Sequence, residues 1–309
     1  MIDAQEIAGA RQRIAPHVRR TPVLALASGA LPGLAFPVAL KLEHTQRTGS
    51  FKLRGAMNRI LCAEVPAAGV VAASGGNHGA AVAAAAQALG FAARIFVPRT
   101  SPDAKVSRIR GYGAEVVVGG STYAEARAAA EACARETGAL DVPAFDHPLV
   151  VAGQGTAALE LAEDAGVDTL LVAVGGGGLA AGCAAALLPR GARVVGVETA
   201  GTASWRAALS AGAPVDVDVS GLAVDSLGAR SVGAVPFAVL RQAGAGSAVV
   251  SDDDVRRAQR ALWDGCRIAA EPGGAAALAA LLSGAYRPAK DERVVVMVSG
   301  ANVDPGTLA

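Results

Sequence analysis

Short β-branched runs alternate along this chain with alanine-rich helical stretches, and this alternation limits the fold more than any other feature. GVVAA is followed by AAVAAAAQAL, ARIFVP by DAKVSRIR, and AEVVVGG by YAEARAAAEACARETG. Beyond residue 150 come helix-like TAALELAED, strand-like TLLVAV, a helix at 179–188, strand-like ARVVGVE and finally RVVVMV. The strands are apolar at consecutive positions, which demands cover on both faces and predicts parallel pairing. The expected class is α/β, with parallel-rich twisted sheets covered by helices. Ligands of such sheets bind beyond the carboxyl ends of the strands, so the loops that follow strands are the places to search.

At 309 residues the chain has room for one large domain or two packed lobes. Its formal net charge of +1, with acids and bases interspersed, offers no basic patch to nucleic acid or an anionic membrane. Residues 70–93 and 169–189 lack Asp, Glu, Lys and Arg, but the SGGNHG and GGGG within them would unwind a helix in lipid. Both read as strand, glycine loop and helix of a soluble protein. The N-terminus lacks the apolar core of a signal peptide. Cys62, Cys133, Cys183 and Cys266 form no CxxC pair, as expected for buried thiols in a cytoplasmic protein.

Three strand ends carry polar or glycine-rich loops. SGGNHG at 74–79 places Ser74, Asn77 and His78 in a tight turn before a helix, whose free N–H groups suit a carboxylate or phosphate. Alone, it reads equally well as a turn with a self-capping Asn. GGGGLAAG at 175–182 can wrap N–H groups around a phosphate. It also fits GxGxxG/A through Gly175, Gly177 and Ala180, with Glu198 at a strand end about 20 residues on, the pattern of a nicotinamide-dependent oxidoreductase. That rival leaves SGGNHG and Lys52 unexplained. SGAN at 299–302 sets the Ser299 hydroxyl at the mouth of the last strand.

Lysine is scarce, occurring only as Lys41, Lys52, Lys105 and Lys290. In TGSFKLRGAMNRI, Lys52 stands at the start of an expected helix, with Ser50 as N-cap and Leu53, Ala56, Met57, Ile60 and Leu61 as its apolar face. A cation there is disfavoured by up to about 1 kcal/mol. The same setting lowers the amine's pKa, as Schiff-base chemistry requires. One ligand accounts for such an amine, a glycine phosphate cup and polar neighbouring strand ends: pyridoxal 5′-phosphate, with Phe51 placed to stack on its ring.

The sequence resembles the fold-type II, pyridoxal-phosphate-dependent serine/threonine dehydratase family, which includes threonine ammonia-lyases and serine racemases. The resemblance runs from RRTPVL at 19–24 to SGANVD at 299–304, through KLEHTQRTGSFKLRGA, SGGNHG, AGQGTAALE, GGGGL, AVDSLGA and AEPGGAA in the family's order. It implies a two-lobed fold like that of the tryptophan synthase β-subunit. The large lobe would comprise roughly residues 1–65 and 147–309, and a mobile small lobe, 66–146, would carry the Asn loop. Lys52 would bind the cofactor covalently and act as the base at the substrate Cα. Gly175, Gly176, Gly177, Gly178 and Leu179 would hold the phosphate, Asn77 the phenolic oxygen, and Ser299 would face the ring nitrogen. Ser74, Gly75, Asn77 and His78 would hold the substrate carboxylate, with Ser226 a further contact.

The implied reaction is dehydration and deamination of L-threonine or L-serine to a 2-oxo acid and ammonia. Another β-hydroxy amino acid, such as threo-3-hydroxyaspartate, would use the same chemistry. Racemases of the family have a serine where this chain has Gly75, which disfavours racemisation. Glu198 is a candidate for the cation site of some relatives, although Ser204 stands where their aspartate would be. Glu271 reads as either a site acid or a helix cap, and Phe145, Asp146 and His147, just before the AGQGT helix, are candidates for setting side-chain preference without an assigned role. The resemblance also implies a homodimer, and a short form without the regulatory domain of biosynthetic relatives.

Overall fold

In the computed structural model, which describes residues 2–304 and Gly306, the strands form two sheets. In chain order the strands are β1 (Val23–Leu26), β2 (Val38–Lys41), β3 (Val70–Ala73), β4 (Ala93–Val97), β5 (Glu115–Val118), β6 (Leu140–Asp141), β7 (Thr169–Ala173), β8 (Arg193–Thr199), β9 (Gly246–Val250) and β10 (Val294–Met297). The helices are α1 (Ala4–Ile14), α2 (Lys52–Leu61), α3 (Asn77–Leu89), α4 (Asp103–Gly111), α5 (Tyr123–Thr137) and α6 (Pro148–Asp164). They continue with α7 (Gly178–Leu187), α8 (Ser204–Ala211), α9 (Val224–Leu227), α10 (Ala234–Gln242), α11 (Asp252–Cys266) and α12 (Pro272–Leu282).

The larger sheet has the order β1-β2-β10-β7-β8-β9, antiparallel only between β1 and β2. The smaller sheet, β5-β4-β3-β6, is parallel throughout. Every residue of β3, β7 and β10 is buried, because helices cover both faces of each sheet. Among the described residues no helix is long and apolar enough to cross a membrane.

Helix α6 sets the spacing of the elements that matter for function. It carries AGQGT, and its two glycines meet a helix on either side. A Cβ on Gly153 would lie 2.6 Å from the Arg54 carbonyl of α2, and one on Gly155 would lie 2.6 Å from the Gly182 carbonyl of α7. Only glycine lets these backbones approach so closely. Gln154 then accepts the Gly55 N–H at 3.2 Å. The start of α2, which bears Lys52, is thereby held at a set distance from the start of α7, which bears the glycine loop.

A buried ionic quartet locks the same region. Arg54 donates to Glu43 at 2.8 Å and to Glu160 at 2.7 Å, and Lys41 donates to Glu160 at 2.9 Å. All four side chains are buried, and their charges cancel.

The N-cap of α2 differs from the sequence expectation. It is Phe51, without a side-chain cap, and Ser50 instead bridges to Gly300 beside the end of β10. Long-range pairing therefore overrides the local capping preference of serine.

Candidate active site

The three strand-end loops converge although they follow strands of different sheets. β7 and β10 are neighbours in the larger sheet, whereas β3 belongs to the smaller one. Phe51 N–H donates to the Ser299 carbonyl at 3.1 Å, which ties the Lys52 segment to the end of β10. Asn77 Nδ2 donates at 2.6 Å to Glu271 Oε1, at the start of α12, and Asn77 Oδ1 accepts from Asn302 Nδ2. Both ends of the Asn77 amide are thus held by the large-sheet side, which sets its orientation.

Lys52 is the candidate reactive group. Its Nζ donates to the Ala144 carbonyl at 2.8 Å and lies 5.2 Å from the centre of the Phe51 ring. Burial of the amine lowers its pKa to about 8, against a smaller opposing pull from Glu271. Near pH 8 a substantial fraction of the amine is therefore unprotonated. Glu271 is itself pushed up to about 7 by burial. Although it stands at the N-cap of α12, its carboxylate caps no N–H there and is turned to Asn77.

The glycine loop has the form of a phosphate cup. Gly177 has φ +86°, and the Ala181 N–H makes a 2.9 Å bond to Gly177 O, so the N–H groups of Gly178, Leu179 and Ala180 lie ahead of the α7 ladder. The Gly175 and Gly176 carbonyls are engaged by Ser204 Oγ and Gly233 N–H. Among the described residues, the N–H groups of 175–178 have no partner. A second reason for glycine is packing, since a Cβ on Gly176 would collide with the Phe145 ring.

These residues fit pyridoxal phosphate. The site combines a lysine with a lowered pKa, a helix start suited to anions and the Ser299 hydroxyl, which donates to Gly273 O at 3.2 Å. A family model for pyridoxal-phosphate-dependent enzymes matches residues 14–300. The chain belongs to this family. It is 42% identical over 98% of its length to the L-threonine dehydratase biosynthetic IlvA of Mycobacterium leprae. It spans 73% of that relative, and 54% of the Haemophilus influenzae protein of the same name. Two solved structures have similar folds. The T.th. threonine deaminase gives a TM-score of 0.89 at 38% identity, covering 98% of this chain and 99% of that one. Maize serine racemase gives 0.93 at 32% identity, covering 99% and 95%. The two-sheet architecture is thus that of fold-type II enzymes.

Within this frame several expected contacts take other partners. Ser226 accepts the Gly273 N–H at 3.0 Å and donates to Ala223 O at 3.3 Å, so its hydroxyl ties α9 to α12. Glu198 accepts the Trp205 and Arg206 N–H groups at 2.6 and 2.9 Å. These bonds, one to each oxygen, tie the carboxylate to the start of α8. Among the described residues no group of three His, Cys, Asp or Glu side chains is placed to hold a metal ion.

Each side chain of the 145–147 triplet has a packing or hydrogen-bond partner. Phe145 packs on the glycine loop, Asp146 accepts the Ala234 and Val235 N–H groups, and His147 Nδ1 accepts the Leu149 N–H. In the Asn loop, Ser74 Oγ accepts the Gly76 N–H at 3.1 Å. The first helical bond of α3 runs from Ala80 N–H to Gly76 O, so the N–H groups of Asn77, His78 and Gly79 precede it. The His78 imidazole, by contrast, is bonded to Val142 O. A side chain at Gly75 would collide with the Ser101 hydroxyl, so another segment brings a hydroxyl to that point.

The cup gives a direct prediction. In Gly177→Ala the left-handed backbone costs roughly 1–2 kcal/mol, and the new methyl would lie 2.9 Å from Pro236. Affinity for pyridoxal phosphate, read by absorbance titration, is expected to fall at least about tenfold. Unchanged affinity would show that this turn does not hold the phosphate.

Proposed function

We propose that this chain is a pyridoxal-phosphate-dependent ammonia-lyase that converts L-threonine or L-serine to a 2-oxo acid and ammonia. The observation that carries the reading is the Lys52 amine, with its pKa lowered to about 8, beside the Asn loop and near the glycine cup. The names of the relatives support the substrate class. When bound, the cofactor supplies the electron-withdrawing ring that acidifies the substrate Cα–H.

The protein's residues perform the remaining tasks. The N–H groups of Asn77, His78 and Gly79 at the start of α3 bind the substrate carboxylate. Lys52 Nζ takes the Cα proton, and Asn77, held by Glu271 and Asn302, orients the reacting centre. Gly175–Leu179 hold the phosphate. Ser299 presents a hydroxyl, not a carboxylate, at the ring-nitrogen position. With no negative charge there to retain a proton, the site suits a reaction whose charge departs with the β-hydroxyl. A cavity of about 220 Å³ lies against the Val142–Asp146 segment and is lined also by Ala73, Tyr123 and Arg127. Its lining includes neither Lys52, Asn77 nor the glycine loop, so it lies apart from the residues assigned to the reaction.

The test is 2-oxo acid release from L-threonine, L-serine, both D-enantiomers and threo-3-hydroxyaspartate. Turnover of L-threonine or L-serine well above the other compounds is expected. Preference for 3-hydroxyaspartate would keep the mechanism and replace the substrate. Turnover of the D-enantiomers would bring the Ser101 hydroxyl into the reaction.

A further inference from the structure

We infer that His78 is a positioning residue for the Lys52 amine, acting through the backbone segment Val142–Ala144. The inference rests on the pyridoxal-phosphate reading of Lys52. The His78 side chain is only 5% exposed, and its Nε2 lies 2.8 Å from Val142 O. A carbonyl can only accept, so Nε2 carries the hydrogen. Burial first, and then the charge on Lys52, push the imidazole down to about 3, so it stays neutral and keeps this tautomer throughout the working pH range. It therefore adds no second positive charge beside the lysine.

The segment it grips has few other anchors. Among the described residues, 142–144 are held by three hydrogen bonds: Val142 N–H to Val71 O, His78 to Val142 O, and Lys52 to Ala144 O. Pro143 has no N–H to add. The second residue of α3 and the first residue of α2 thus bind carbonyls of one short segment, separated by a single proline. Ala144 O takes one hydrogen of the Lys52 amine and so sets where its lone pair points. His78 sets where Ala144 O stands. The helix start that would receive the substrate carboxylate is by this route mechanically joined to the base. The charged groups that act on this pair are Glu271 on Lys52 and Arg127 on His78.

The test follows imine formation rather than turnover. Cofactor is removed from the purified chain, pyridoxal 5′-phosphate is added back, and the visible imine absorbance is followed across pH for wild type, His78→Leu, His78→Gln and His78→Asn. Glutamine reaches the Nε2 position with an N–H, whereas asparagine stops short of it. Recombination in His78→Leu and His78→Asn is expected to slow by about tenfold to a hundredfold, the scale of a misplaced reacting group. His78→Gln is expected to stay within about threefold of wild type, by the same geometry.

Wild-type rates in folded His78→Leu, or equal loss in the Gln and Asn variants, would overturn the inference. If His78→Leu does not fold, the comparison of Gln with Asn decides. A wild-type chain that forms no imine overturns the cofactor reading as well. That outcome is distinct from one in which the wild type forms the imine and all variants follow it unchanged.

Discussion

Replacing Lys52 by alanine is expected to lower 2-oxo acid release from L-threonine or L-serine by about 10⁴-fold, the upper range for loss of a positioned acid–base group. The variant should also lose the visible imine absorbance, because no other lysine is placed to form it. Lys41 is buried in the ionic quartet, Lys105 is paired with Asp225, and Lys290 is exposed in the turn before β10. The fold should survive, since removing an amine whose ionised form is disfavoured by burial relieves a cost. A folded Lys52→Ala protein that retains turnover would remove Lys52 from the chemistry. Loss of turnover with retained imine absorbance would place the covalent link at another lysine.

The second large effect is on stability. Arg54→Met keeps an apolar stem but leaves Glu43 and Glu160 buried with only the Lys41 charge between them. Breaking a buried pair in this way costs about 3–5 kcal/mol. The melting temperature should fall by roughly 10 °C on that scale.

The pH dependence identifies the cause. In the native chain, burial would raise the Glu43 pKa, but the charge and hydrogen bonds of Arg54 reverse this and hold it below the ordinary carboxylate value of 4.5. A carboxylate lowered in the folded state contributes stability above its unfolded pKa and loses it as pH falls through the folded value. Without Arg54 the burial effect dominates and the sign reverses, so the variant should regain stability as pH falls from 8 towards 5. Melting curves at these two pH values check the sign. An equal deficit at both would mean that lost packing, not an unpaired charge, is responsible.

Much of the candidate site was legible because its chemistry is written in short segments. An amine at a helix start, four consecutive glycines before another helix, and a polar turn after an apolar strand each show their local geometry in adjacent residues. The start of α7 lies within one residue of its expected position. Side-chain direction was less legible. His78 and Ser226 lie in site motifs, but the imidazole turns to Val142 and the hydroxyl to Gly273. Their partners are 64 and 47 residues away, beyond any local pattern. The Ser50 capping expectation failed for the same reason, since its partner Gly300 comes from the far end of the chain.

By itself the sequence determined the α/β class and the parallel character of the strands, and it singled out the lysine and the glycine loop as candidates. Each follows from periodicity or from residues close together in the chain. Only the tertiary structure decided what those residues face. It brought Arg54 between Glu43 and Glu160, set Glu271 against Asn77, and placed the Ala144 carbonyl under the Lys52 amine. The physical reason is that burial makes each polar group depend on a partner, and in a fold of two sheets that partner often comes from the other sheet or from a distant helix.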